Sequence, residues 1–206
     1  AATEDPMSGG RDRVLGRADL GVLPQPSTSA SDLARAVGVA LSVARARKLG
    51  ADAPWPSDAV TVCSFGDASA GHSTAVGAIN SAINTAYQGV PMPLLFVCEE
   101  AHRYASADRS VGFTPTRRAL SRIAREGRKH GVYLGLVTQR PAELDPTIMS
   151  QCSTLFAMRM TNDRDQAFLA AAVSDAVNLL TFVPSLGTGE VIAFGEGVPM
   201  PARIRF

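Results

Sequence analysis

The stretch Leu94-Leu95-Phe96-Val97-Cys98-Glu99-Glu100 sets five apolar residues in front of two acids. A buried strand that delivers adjacent carboxylates at its end suits phosphoryl-transfer chemistry. There the first acid (Glu99) holds Mg²⁺, and the second (Glu100) orients or deprotonates the attacking water. A second strand-like run, Ala59–Phe65, ends in Gly66-Asp67-Ala68-Ser69. A carboxylate presented there could share a Mg²⁺ with a diphosphate, with Gly66 and Ser69 flanking it, because hard cations take oxygen ligands and strand ends open into crevices. The other reading of Asp67 is a turn residue that caps the next helix. His72, His102 and His130 lie too far apart in sequence to suggest a metal site.

The elements that must hold these residues alternate. Ser29–Leu49 has helical spacing of Leu33, Val37, Ala40, Leu41 and Ala44, with Gly50 as its stop. Residues 51–58, with Trp55 between two prolines, read as a linker. Helices are expected over Ser73–Tyr87, Thr116–Lys129 and Asp163–Val173, and strands over Ala59–Phe65, Leu94–Cys98, Val132–Thr138 and Thr154–Met160. Glu190–Phe194 and Ala202–Phe206 look like a terminal pair. This alternation predicts an α/β fold in three layers, a mainly parallel sheet with helices on both faces.

Composition narrows the class. The 206 residues are 46% hydrophobic and 19% charged, with a net charge of +1, which excludes disordered and coiled-coil chains. Cys63, Cys98 and Cys152 are odd in number and scattered, so they read as reduced thiols of a cytoplasmic protein. No apolar run approaches the ~20 residues of a membrane span, and no leader or membrane segment is expected. Between Arg103 and Lys129 stand 8 basic and 2 acidic residues. On a helix, Arg118, Arg122, Arg125 and Lys129 share a face, which is either a phosphate-facing surface or an ordinary solvated one.

Two family resemblances follow. After Glu99-Glu100 come Arg122-Ile123-Ala124-Arg125-Glu126-Gly127-Arg128-Lys129-His130-Gly131, then Thr138-Gln139-Arg140-Pro141, Ser150-Gln151-Cys152 and Leu186-Gly187-Thr188-Gly189-Glu190. In order and spacing, residues 94–206 resemble the C-terminal half of a HerA/FtsK-type hexameric DNA-translocating ATPase. The resemblance implies a P-loop or RecA-like fold, ATP with Mg²⁺ on Glu99, and Glu100 as catalytic glutamate. It further implies Gln139 as sensor of the γ-phosphate, Arg128 and Arg159 as arginines acting on a neighbouring subunit's transition state, a hexamer, and DNA as partner. The chain's two lysines, Lys48 and Lys129, do not stand in a Gly-x-x-x-x-Gly-Lys-[Ser/Thr] loop. The chain alone is therefore expected to be inactive unless a partner chain completes the site.

Met7-Ser8-Gly9-Gly10-Arg11 and the run from Val60 to Glu99 resemble the thiamine-diphosphate-dependent dehydrogenase component of 2-oxo acid dehydrogenase complexes. That resemblance implies a thiamine-fold-like N-terminal half, thiamine diphosphate as cofactor and Mg²⁺ on Asp67. This chain departs from the family at Asp12 and Asp32, where histidines are expected, and at Glu100-Ala101-His102, where Asp-Asn-Gly is expected. Together the two resemblances describe a mosaic: 1–58 loop-rich segment plus helix, 59–99 strand-helix-strand, and 94–206 motor-like, sharing the strand 94–99. An inactive α/β scaffold with two broken sites is the third reading.

Overall fold

The computed structural model describes residues 16–24, 29–172 and 177–206; Met7 to Asp12 and the end of the Asp163–Val173 helix lie outside them. Helix α1 (Ser31–Leu49) begins after Ala30 and stops at Gly50, both in the left-handed region. Strand β1 (Thr61–Phe65) follows, then the single turn α2 (Asp67–Ala70) and helix α3 (Ser73–Tyr87). Strand β2 (Leu94–Cys98), helix α4 (Thr114–Glu126) and strand β3 (Val132–Leu136) complete the first unit. The order β1-β2-β3 is parallel throughout, with Phe65 opposite Cys98 and Cys98 opposite Leu136. The sequence-based bounds of α3 and β2 agree with these ranges, and β1 and β3 are two residues shorter than expected.

One face of this sheet carries the core. Cys63, Phe65, Leu94, Phe96, Cys98 and Val132 are buried there with Leu33, Ala36 and Ala40 of α1, Ala78, Ile79 and Ala82 of α3, and Leu120 and Ile123 of α4. The small side chains of α3 let α1 and α4 pack close on either side of it. On the other face Val62, Leu95 and Tyr133 stand in register as a row. Val62 is 61% exposed and Tyr133 48%, with Val137 beyond them at 46%. The α/β class therefore holds, with helix cover from α1, α3 and α4 on one face and a row of apolar side chains facing outward on the other.

Beyond β3 come the turns α5 (Pro146–Met149) and α7 (Val177–Leu180), helix α6 (Asp163–Ala172), and strands β4 (Thr154–Ala157), β5 (Glu190–Gly195) and β6 (Ala202–Arg205). These strands form a separate antiparallel sheet, β4-β5-β6. The expected terminal pair is thus present as β5 and β6. The fourth strand is shorter than predicted and pairs with β5 instead of extending the parallel sheet, because an apolar run fixes burial but not strand direction. Buried residues of both sheets, Phe96 and Ile192 among them, belong to one continuous core. The two halves of the expected mosaic therefore share a single interior.

The glycine of the Glu126-Gly127-Arg128 segment has a packing reason. A Cβ at Gly127 would collide with the carbonyl oxygen of Val132, so only glycine lets the end of α4 rest on the start of β3. Cys63 and Cys98 are buried and free. Desolvation pushes the Cys63 thiol up to about 12 and raises Cys98 as well. Among the described residues no helix is long and apolar enough to cross a membrane.

Candidate functional site

The C-terminal ends of β2 and β3 open into a cleft of about 350 Å³ lined by Glu100, His102, Arg103, Val111, Gln139, Arg140 and Glu143. Glu100 and Gln139, from two motifs 39 positions apart, are brought together here because β2 and β3 are parallel neighbours. Crevices beyond the carboxyl ends of parallel strands are where α/β folds bind ligands.

Glu100 sits at φ 51°, ψ 41°, a left-handed conformation uncommon for a residue without glycine's freedom. The conformation turns the chain off β2 into a short 3-10 turn, Ala101–Arg103, and is held from both sides. The Glu99 amide donates to Phe65 O at 2.8 Å and Ala101 N donates to Val137 O at 3.0 Å. The Tyr104 hydroxyl donates to Glu99 O at 2.9 Å, while its ring stacks on Phe65 with centroids 6.0 Å apart. Burial raises the Tyr104 phenol well above its ordinary value, so it stays a donor. Strain of this kind persists only where surrounding contacts over-determine it, and it clusters at functional sites.

A polar chain crosses the cleft floor. His102, 9% exposed, has Nδ1 3.7 Å from Glu100 Oε2 and 3.0 Å from Thr138 Oγ1, and Thr138 Oγ1 accepts from Arg140 N at 3.0 Å. The histidine thus ties the acid-bearing end of β2 to the loop after β3. Glu99 faces another way: its Oε1 accepts from Ser64 Oγ at 3.3 Å, toward β1, and it does not line the cleft.

Asp67 opens α2 at the end of β1 and accepts from Ala68 N at 3.0 Å and from Arg103 Nη1 at 2.6 Å. The Arg103 guanidinium holds its carboxyl below the ordinary 3.8. Because the folded value is the lower one, the pair's contribution to stability is present above the unfolded value and is lost as the pH falls through the folded value. Arg103→Ala is expected to move the Asp67 titration back up toward 3.8, read by carboxyl-carbon NMR; an unmoved titration would contradict the pairing.

With an arginine at its carboxylate, Asp67 lacks the oxygen-rich surroundings of a Mg²⁺-diphosphate site. Gly66 is its extended N-cap, and Ser69 Oγ accepts from the amide of Ala30 at 3.2 Å. Among the described residues no three His, Cys, Asp or Glu side chains come together as a metal cluster. These residues do not fit thiamine diphosphate.

The remaining candidates lie outside the cleft. Arg128 is exposed and pairs with Glu196 at 2.7 Å. Arg159, just beyond β4, is exposed and has no ion pair to a described residue. The outward face of α4 carries Arg118, Arg122 and Arg125, with Arg122 5.1 Å over the Tyr87 ring. Sequence reasoning named Glu100 and Gln139 but not Arg103, Glu143 or Val111. Arg140, in the stretch Thr138-Gln139-Arg140-Pro141, is the sequence signal for an arginine in the lining.

No family model matches the chain. A probable helicase of Methanocaldococcus jannaschii is 43% identical over 117 residues, 55% of this chain and 21% of that protein. The DNA double-strand break repair helicase HerA of Pyrococcus furiosus is 38% identical over 128 residues, 62% of this chain and 23% of that protein. The chain thus spans less than a quarter of the length of the curated relatives it matches. Among solved structures, the genome-packaging NTPase of Sulfolobus turreted icosahedral virus 2, in complex with ATP-γS, aligns with a TM-score of 0.48 and 15% identity over 63% of this chain and 58% of that one.

The 128-residue match is longer than the stretch from residue 94 to the C-terminus, so it reaches back into α3. It therefore enters the segment whose sequence resembled a thiamine-dependent dehydrogenase, and the relatives found offer that resemblance no support. More than half of the chain is similar in sequence to HerA-type helicases.

Proposed function

We propose that this chain forms the acid-and-sensor part of an ATP-driven DNA motor. The observation that carries the reading is the placement of Glu100 and Gln139 at the ends of adjacent parallel strands on one cleft. The similarity to HerA-type helicases supports it.

In this reading Arg103 and Arg140, held on the cleft by Asp67 at 2.6 Å and Glu143 at 3.0 Å, would turn from those carboxylates to receive phosphate oxygens. Glu99, which now accepts from Ser64 outside the cleft, would hold Mg²⁺ once its side chain turned toward the cleft, since Mg²⁺ needs only one or two carboxylates beside its waters. Held there, Mg²⁺ would supply charge neutralisation for the transferring phosphoryl group. Glu100 takes the proton of the attacking water, and Gln139 reads the terminal phosphate. His102 and Thr138 keep these two residues in a common frame.

The phosphate-binding loop that the sequence lacks comes from another polypeptide segment or a partner chain. The outward row Val62, Leu95 and Tyr133 offers such a segment a face to pack on, because parallel sheets are normally covered on both faces. Arg159 is the arginine left open to a neighbouring subunit of a homo-oligomer, whereas Arg128 is engaged by Glu196. The α4 face of Arg118, Arg122, Arg125 and nearby Lys129 is the surface for DNA phosphates, whose affinity would fall with added salt.

Amide NMR shifts during titration with ATP and Mg²⁺ test the site. The expected changes concentrate in residues 99–103 and 137–143. Changes confined to the α4 face, or none, would overturn the assignment.

A further inference from the structure

Gln139 and Arg140 stand on a loop between β3 and α5, and such a loop is only as accurate as its anchors. One end is fixed by Thr138, through His102 and the Arg140 amide. The far side is fixed where Ala107 N donates to Glu143 O at 2.9 Å. Between them runs a 3-10 turn, Pro141–Glu143, whose first amides have no partner within the turn. One of those amides, Ala142 N, donates to Asp165 Oδ1 at 2.9 Å across 23 residues of sequence.

Asp165 is the unusual partner in this contact. It is 7% exposed, one of few buried charged residues described. It is the third residue of α6, where an acidic side chain commonly folds back on its own helix start. At this helix start the side-chain cap is Asn162, whose Oδ1 accepts from Arg164 N at 2.9 Å, and the described hydrogen bond of Asp165 goes to the cleft loop. Asp163 supplies a first-turn negative charge in the open. The buried carboxylate is therefore spent on the cleft loop.

We propose that Asp165 is a positioning residue, which sets the Gln139-Arg140 loop through the Ala142 amide and so places these two side chains on the nucleotide cleft. The assignment of a task to the cleft rests on the nucleotide-binding reading above; the clamp itself rests on geometry alone. The arrangement also makes α6 a mechanical extension of the loop.

The test is hydrogen exchange by NMR on the whole chain as Asp165→Ala, Asp165→Asn and Asp163→Ala. Loss of one hydrogen bond that holds a loop is expected to speed exchange of the amides of residues 142–144 about tenfold in Asp165→Ala. Asp165→Asn keeps an acceptor oxygen at the same place and is expected to exchange like the wild type. Asp163→Ala removes a first-turn charge without touching the loop and is also expected to leave those amides unchanged.

Three outcomes overturn the proposal. These are unchanged exchange at residues 142–144 in Asp165→Ala, equal acceleration there in Asp163→Ala, and acceleration in Asp165→Ala that is as large in Val191–Phe194 of β5 as in the loop. The last would make Asp165 a support of the whole fold. A parallel titration with ATP and Mg²⁺ separates the two readings. Weaker binding in Asp165→Ala, restored in Asp165→Asn, supports the placement of the clamp on the site. A selective exchange effect with no ATP binding in the wild type leaves the clamp standing and removes the nucleotide reading.

Discussion

Phe96→Ala is expected to cost about 3–5 kcal/mol of folding free energy, the range of a large aromatic truncated in a closed core. Phe96 is fully buried at the centre of β2, edge-on to Phe65 with ring centroids 6.2 Å apart. It lies between Cys63 of β1 and Leu134 of β3 in register, so its loss opens a cavity in the middle of the sheet's buried face. Domains of ordinary size are stable by only about 5–15 kcal/mol, so much of the margin goes. Urea denaturation should show the midpoint falling steeply. Val62→Ala, on the same sheet but 61% exposed, should stay within about 0.5 kcal/mol of wild type. Similar losses for the two variants would contradict the division between a buried and an open sheet face.

Glu100→Gln has the largest expected functional effect. A positioned general base contributes about 10²–10⁴-fold to rate, and glutamine keeps the shape of the side chain while removing its basicity. ATP turnover is to be measured in the complex or longer polypeptide that supplies the phosphate-binding loop. It should fall by that factor while nucleotide affinity is retained. Glu100→Gly is the informative companion, since glycine accepts φ 51° without penalty. It should lose turnover as fully, yet be as stable as the wild type or more stable by up to about 1 kcal/mol, because it releases left-handed strain. A marked destabilisation by glycine would mean that the conformation carries no strain. Undiminished turnover in Glu100→Gln would remove the residue from the catalytic role.

Much of this arrangement was legible in the chain. The bounds of α3 and β2 could be read because small and apolar residues end sharply at polar or glycine-containing turns. Glu100 and Gln139 could be read because each closes an apolar strand, and parallel neighbours place such ends together. Arg103 with Asp67, and Asp165 with Ala142, were not legible. These contacts span 36 and 23 residues, and nothing in local spacing encodes them. The orientation of β4 was equally hidden, since its apolar run suits either direction. The dehydrogenase-like reading arose at Gly66-Asp67, a strand-turn-helix junction that many α/β chains share. There the sequence showed a carboxylate but not the arginine that engages it.

In the proposed motor the ends of β2 and β3 recognise a metal-bound nucleotide. Isothermal titration of the chain with ATP, with and without Mg²⁺, in wild type and Glu99→Ala, tests this. The expected result is Mg²⁺-dependent binding in the wild type whose Mg²⁺ dependence is lost in Glu99→Ala. No binding by the wild type, or the same Mg²⁺-dependent binding in both proteins, would contradict it.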